Sequence, residues 1–148
     1  MAVEREEIEA FGGDHLDGCA GLYASVFASE PWGEPWTRGK ARERLAEIYH
    51  APGFEGFVSV AGGEPVGLAL GNSVSRPVGR GFFLHEFCVK AEVRGVGGRL
   101  LESLEGRLRD AGVGSVFLVT GLHAPARGFY FKNGYGEAKG MAAMVKTL

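Results

Sequence analysis

Residues 92–101 read EVRGVGGRLL, a glycine-rich, basic turn placed between an apolar strand and an amphipathic helix. This run constrains the chain path more than any other. Residues 81–89 (GFFLHEFCV) are aromatic and branched enough to form a strand, while Leu100, Leu101, Leu104 and Leu108 recur at helical spacing. Gly95 and Gly97 let the backbone turn sharply with no Cβ in the way. Successive N–H groups of Gly95, Val96, Gly97 and Gly98 can then point at an anion, and the helix N-terminus adds partial positive charge. Arg94 and Arg99 supply full charges. A pyrophosphate is the natural guest of such a turn.

Because the chain holds 25 glycines, short glycine patterns arise in it by chance, and the turn needs support from its surroundings. The length of 148 residues suits one domain with a real core, and 45% hydrophobic with 23% charged residues is ordinary globular usage. No apolar run approaches the roughly eighteen residues of a membrane span, and the acidic start AVEREEIE lacks the basic and apolar regions of a signal peptide. A cytoplasmic location is expected. A net charge of −2 and a pI near 6.1 speak against a nucleic-acid partner and suit a cationic small molecule. Cys19 and Cys88 are too few and too far apart for a zinc pattern or disulfide framework, so they read as core thiols and no metal is expected.

Strands and helices alternate along the chain without a linker or repeat. Residues 2–10 read as a first strand, and residues 13–29 carry Leu16, Ala20, Tyr23 and Phe27 as a helical stripe. Two prolines and a glycine in residues 30–36 (EPWGEPW) end that helix. Thr37 can cap a second one, whose apolar face includes Ala41, Leu45 and Ile48. Residues 54–60 and 65–70 flank a turn-rich Ala-Gly-Gly-Glu link suited to antiparallel strands. After the phosphate turn a helix runs to about residue 111. A strand at 115–120, a short helix at 125–132 and a last strand near 137–147 complete the order.

The turn resembles the acyl-CoA signature of the GNAT superfamily of N-acetyltransferases, Gln/Arg-x-x-Gly-x-Gly/Ala followed by an apolar pair. In that register Gly95 and Gly97 fill the glycine slots, Leu100 and Leu101 form the pair, and Glu92 replaces the family's Gln or Arg. A carboxylate repels a pyrophosphate, so Glu92 is expected to turn outward and leave the contacts to Arg94, Arg99 and the backbone amides. A second block, residues 123–135 (HAPARGFYFKNGY), is similar to the family's Asn-x-x-Ala-x-x-Phe-Tyr-x-Lys-x-Gly-Phe. Ala126, Phe129, Tyr130, Lys132, Gly134 and Tyr135 fall in register, and His123 takes the asparagine slot. Two blocks in the family order, with a helix and a strand between them, are far more specific than either alone.

The resemblance implies an α/β (α+β) fold of order β-α-α-β-β-β-α-β-α-β, a single N-acetyltransferase domain over residues 1–148. Its mixed, mostly antiparallel sheet would have parallel fourth and fifth strands that splay apart. Acetyl-CoA is the implied cosubstrate, its pantetheine arm lying in that gap against main-chain groups of Phe87, Cys88 and Val89, near His123, with the thioester sulfur reaching toward Tyr130. The implied partner is a small-molecule amine, with no nucleic acid or membrane, and a monomer or homodimer is expected.

Attack on a thioester needs a neutral amine, and an alkylammonium of pKa near 10.4 is neutral only to about one part in several thousand at pH 7. That deficit amounts to roughly 4 to 5 kcal/mol. Glu86 is the leading general base, directly or through water, with His85 second; a surface ion pair and a packed histidine are the plainer roles. Strand alternation lets only one of them face the cleft unless a bulge intervenes. Tyr130 can protonate the departing thiolate, or simply pack helix to sheet. The family builds its acceptor site where residues 30–36 lie. There Trp32 and Trp36 offer cation–π faces and Glu30 and Glu34 offer charge, unless the indoles only pin the loop to the core. Small cationic amines (aminoglycosides, polyamines, amino compounds) and peptide N-termini both suit it. A non-catalytic acyl-CoA sensor would share the phosphate turn. A dinucleotide-binding turn would require an acid about twenty residues on, and 115–120 reads SVFLVT.

Overall fold

The computed structural model describes residues 6–148, which divide into a unit ending at Phe117 and a unit of Leu118–Leu148. The first unit contains β1 (Glu7–Ala10), α1 (Leu16–Ala28), α2 (Arg38–Tyr49), β2 (Phe54–Ala61), β3 (Glu64–Ser75), β4 (Arg80–Val89), α3 (Val96–Asp110) and β5 (Val113–Phe117). The expected first strand is thus seen as β1, and residues 2–5 lie outside the described residues. The helical stripes behave as their spacing dictates. Leu16, Cys19, Ala20 and Tyr23 on α1 are buried, as are Ala41, Leu45 and Ile48 on α2 and Leu100, Leu101, Leu104 and Leu108 on α3. Thr37 caps α2, its Oγ1 accepting the Lys40 amide at 3.1 Å.

The sheet runs β1-β2-β3-β4-β5, antiparallel except for the parallel β4–β5 pair. Residues opposed across a ladder share a face. The pairs Val58–Leu68 and Leu68–Cys88 accordingly lie together in a core with α1 and α2. On the opposite face Val66, Val96 and Leu100 form a second cluster with Ile8, Phe57, Phe87 and Val89. The parallel ladder is short: it pairs Arg80 through Phe83 with β5 and ends at Phe83–Phe117, while β4 continues to Val89.

A bulge interrupts β4. Leu70 opposes Glu86, but its neighbour Gly71 opposes Leu84, so His85 is an inserted residue without a ladder position of its own. The insertion resets the alternation and brings His85 and Glu86 to the same face. The His85 ring meets Asn72 Oδ1 through Nε2 at 2.6 Å and lies 4.5 Å from the Phe83 ring. Asn72 and Phe83 are ladder partners two positions along β3 from the Leu70–Glu86 pair. Gly71 permits this geometry, because a Cβ there would stand 2.0 Å from the Phe83 carbonyl oxygen and 2.6 Å from the Phe82 ring.

In the second unit α4 (Pro125–Lys132) starts with Pro at its first turn, where the missing N–H costs nothing. Tyr130 packs on Phe129 and Tyr135 with ring centroids at 5.4 and 5.5 Å, and Arg127 pairs with Glu137. The strand expected near 137–147 does not form. That stretch is rich in Ala and Lys, which favour strands poorly, and Gly140 interrupts it at a φ of 84°. Met144 and Val145 stand exposed, with no alternation of inward and outward side chains to pin a register.

Gly71→Ala should destabilise the protein by about 1–3 kcal/mol through overpacking at the bulge, seen as a lower urea midpoint at constant slope. Gly106→Ala is the control. It lies within α3, where an added Cβ meets nothing within 4 Å, and should stabilise by about 1 kcal/mol.

Candidate active site

The turn before α3 has the features of an anion cradle. Gly95 adopts a left-handed φ of 77° as the N-cap of α3, supplies no side-chain cap, and is followed by a first turn without an acidic residue. The first amides of the helix are therefore available to a ligand, and the dipole favours a negative one. Glu92 is exposed, as its charge requires beside such a site. Arg94 is exposed and makes no ion pair among the described residues. Arg99 is engaged instead. Its guanidinium folds back over Gly95, where a Cβ would meet Nη1 at 2.5 Å, and Nη2 donates to the Arg94 carbonyl at 3.1 Å. Its Nε donates to the Glu6 carboxylate, which also accepts the hydroxyl of buried Ser59 at 2.6 Å. A diphosphate fits this donor set: uncapped amides, a glycine with no Cβ to obstruct approach, and two guanidinium groups at the rim.

Phe87 and Val89 pack with Val96 and join the end of β4 to the start of α3. Cys88 points to the other face, into the core that also holds Cys19. Burial pushes the Cys19 thiol up to about 12, and burial, then the charge of Glu86 and the neighbouring Cys19, push Cys88 well above its ordinary value. Both cysteines remain thiols, as a core role requires.

Opposite Leu70, Glu86 lies on the α1–α2 face of the sheet. Its side chain is only 11% exposed, and Arg44 of α2 donates from Nε to Oε1 at 2.9 Å. The Tyr23 hydroxyl of α1 supplies a second hydrogen bond. Burial raises the Glu86 carboxyl above the usual range despite opposing help from Arg44 and Tyr23, and the charge of Glu34 adds to the rise. Tyr23 is itself pushed far up by burial and by the Glu86 charge, so it stays a neutral donor. Burial works against the Arg44 charge, but its bond to Glu86 outweighs this and raises it. His85 is lowered by burial and by Arg44, which favours its neutral imidazole.

The loop at 30–36 meets these residues through its second half. Trp36 meets Tyr23 edge-on at 5.1 Å, Tyr23 meets Phe27 at 4.7 Å, and Phe27 meets Trp32 edge-on at 5.3 Å. The Glu34 amide donates to the Phe27 carbonyl at 2.7 Å, and the Glu34 carboxylate, exposed and in no ion pair among the described residues, lies close enough to act on both Glu86 and Tyr23. Trp36 is half-buried and pins the loop, whereas Trp32 keeps 39% of its surface. Glu30 is exposed at the far end of the loop. Tyr130, buried on α4, and His123, exposed just before it, belong to the second unit.

Arg44 and Tyr23 were not legible as site residues. Tyr23 sits in an apolar stripe, where a tyrosine reads as packing. For Arg44 a signal exists: it falls beside Ala41, Leu45 and Ile48 on the buried face of α2, where an arginine demands a carboxylate partner.

No helix among the described residues is long and apolar enough to cross a membrane, and no group of three or more potential metal ligands occurs among them. The model of the acetyltransferase (GNAT) family matches residues 22–135. No curated protein matches the chain. Among solved structures, the aminoglycoside N-acetyltransferase AAC(6')-Iy in complex with CoA is 16% identical, with 99% of this chain and 98% of that one covered at a TM-score of 0.76. An aminoglycoside acetyltransferase, meta-AAC0020, from an uncultured soil metagenomic sample, in complex with sisomicin, is 16% identical, with 97% and 96% covered at 0.75. A GNAT family acetyltransferase of Staphylococcus aureus subsp. aureus USA300_TCH1516 is 17% identical, with 97% and 98% covered at 0.71. These structures share the fold, and the family match extends over most of the sequence. The chain therefore belongs to the acetyltransferase (GNAT) family and is an acyltransferase with acetyl-CoA as its cosubstrate.

Proposed function

We propose that this protein acts as one catalytic domain over residues 1–148 and acetylates a primary amine of a small cationic molecule, of the aminoglycoside or polyamine kind. The observation that carries this reading is the convergence of Glu86, Glu34 and the rings of Tyr23 and Trp36 on one face of the β4 bulge. Glu34 provides an exposed carboxylate for an ammonium group, and Trp32 a partly exposed indole face. The aminoglycoside acetyltransferases among the fold relatives lend the substrate class a precedent.

Bound acetyl-CoA supplies an acyl carbon activated by its thioester. The amides of residues 95–98 and the Arg94 guanidinium hold the pyrophosphate, and the main chain of Phe87, Cys88 and Val89 aligns the pantetheine arm. Glu86 removes a proton from the acceptor nitrogen, directly or through one water, as the N–C bond forms. Its raised pKa brings it nearer the working pH, which makes it a stronger base than an ordinary carboxylate while it remains ionised. The C–S bond breaks as the Tyr130 hydroxyl gives its proton to sulfur.

Thiol release measured over a panel of amines should show turnover with di- and polycations exceeding that with monocations and with peptide N-termini. Glu34→Gln should raise the KM of a dication more than that of a monocation, with the KM of acetyl-CoA unchanged. Equal losses for the two acceptors, or a preference for peptides, would contradict the reading. Tyr130→Phe should retain acetyl-CoA affinity and lower kcat by on the order of tenfold to a thousandfold. A matching loss of affinity would make the ring structural.

A further inference from the structure

We propose that Arg44 is a positioning residue for the acetyl transfer: through its 2.9 Å contact from α2 to Glu86 Oε1 it sets the orientation and charge of the carboxylate that serves as base. This rests on the reading of Glu86 as that base. Three geometric facts carry it. The bond crosses from a helix to the bulged strand, joining residues 42 apart in sequence at the point where His85 is inserted. The carboxylate is enclosed while the guanidinium keeps 39% exposure, so Arg44 brings a hydrated positive charge to an acid that has little water of its own. Among the described residues Arg44 makes one ion pair, to Glu86, which leaves the neighbouring Glu34 carboxylate for a cationic acceptor.

The other groups that face Glu86 cannot take over this task. From α1, Tyr23 donates a neutral hydrogen bond. From the loop after α1, Glu34 adds negative charge and opposes ionisation. On α2, Glu47 acts on Arg44 itself, and within β4 Cys88 is a buried thiol and His85 is held by Asn72. Arg44 is the positive member of this set. A lone Nε contact also fixes direction, because a planar guanidinium bonds along its N–H while an ammonium does not.

The experiment compares wild type, Arg44→Met and Arg44→Lys by two readouts. The first is the titration of the Glu86 carboxyl carbon by NMR in the acetyl-CoA-free protein, and the second is kcat against pH. Arg44→Met fills similar space without charge, and should move the Glu86 titration to higher pH by a unit or more, roughly the effect of an adjacent opposite charge. Its kcat limb should move with it, so that the rate deficit is largest on the acid side of the profile and shrinks as pH rises. Arg44→Lys should keep the limb near the wild-type position yet show a lower plateau, as charge is restored without the directed bond. An unmoved Glu86 titration in Arg44→Met, in a variant shown to be folded by circular dichroism, overturns the proposal whether or not Glu86 is the base. A moved titration with an unmoved kcat limb would overturn it differently: Arg44 would then tune a carboxylate that does not take the proton, and the failure would lie with the assignment of the base.

Discussion

The arrangement of this protein depends on one enclosed carboxylate. Glu86 lies on a face otherwise lined by Leu68, Leu70, Cys88 and the buried side of α1, where an uncompensated charge would be strongly unfavourable. Arg44 and Tyr23 provide the compensation, one from each of the two helices that cover the face. α1 and α2 are thereby held to the bulged strand by polar contacts as well as by apolar burial. No buried side-chain polar atom among the described residues lacks a hydrogen bond. Burial outweighs the partners and raises the Glu86 carboxyl above the usual carboxylate range.

The bulge and the phosphate turn solve the same problem by different means. At His85 one inserted residue changes which side chains share a face, and Gly71 leaves room for the strand to do so. At Gly95 a left-handed backbone reverses the chain and opens the amides of α3. Between the two, Phe87 and Val89 pack on Val96, so the strand that carries Glu86 and the helix that carries the anion cradle are mechanically joined. Arg99 shows how local charge is managed before a ligand arrives. Glu6 and the Arg94 carbonyl occupy its guanidinium, and a phosphate would have to compete with Glu6 for it.

Much of this was legible in the chain because periodicity and glycine placement act locally. The stripes of α1, α2 and α3, the Thr37 cap and the 95–97 turn follow from side-chain spacing and backbone freedom alone. The bulge was not legible, since it is a property of the β3–β4 register and nothing in the run LHEF distinguishes an inserted histidine from a paired one. Tyr23 and Arg44 escaped for a related reason. Their roles arise from a partner tens of residues away, and local pattern assigns Tyr23 to the core. Residues 137–147 failed in the opposite sense: the family order calls for a last strand there, but the segment holds few strand-forming side chains and Gly140 interrupts it.

The pH dependence of kcat for Glu86→Gln, compared with wild type on the same amine, tests the central claim most directly. The amide keeps the shape and can still meet Arg44 and Tyr23, but it cannot accept the proton. Wild-type kcat should rise through a limb above the ordinary carboxylate range, and in Glu86→Gln this limb should vanish with a plateau lower by on the order of a hundredfold to ten-thousandfold. A variant that keeps both the limb and the wild-type plateau would contradict the claim, and Glu86 would then be an enclosed structural acid.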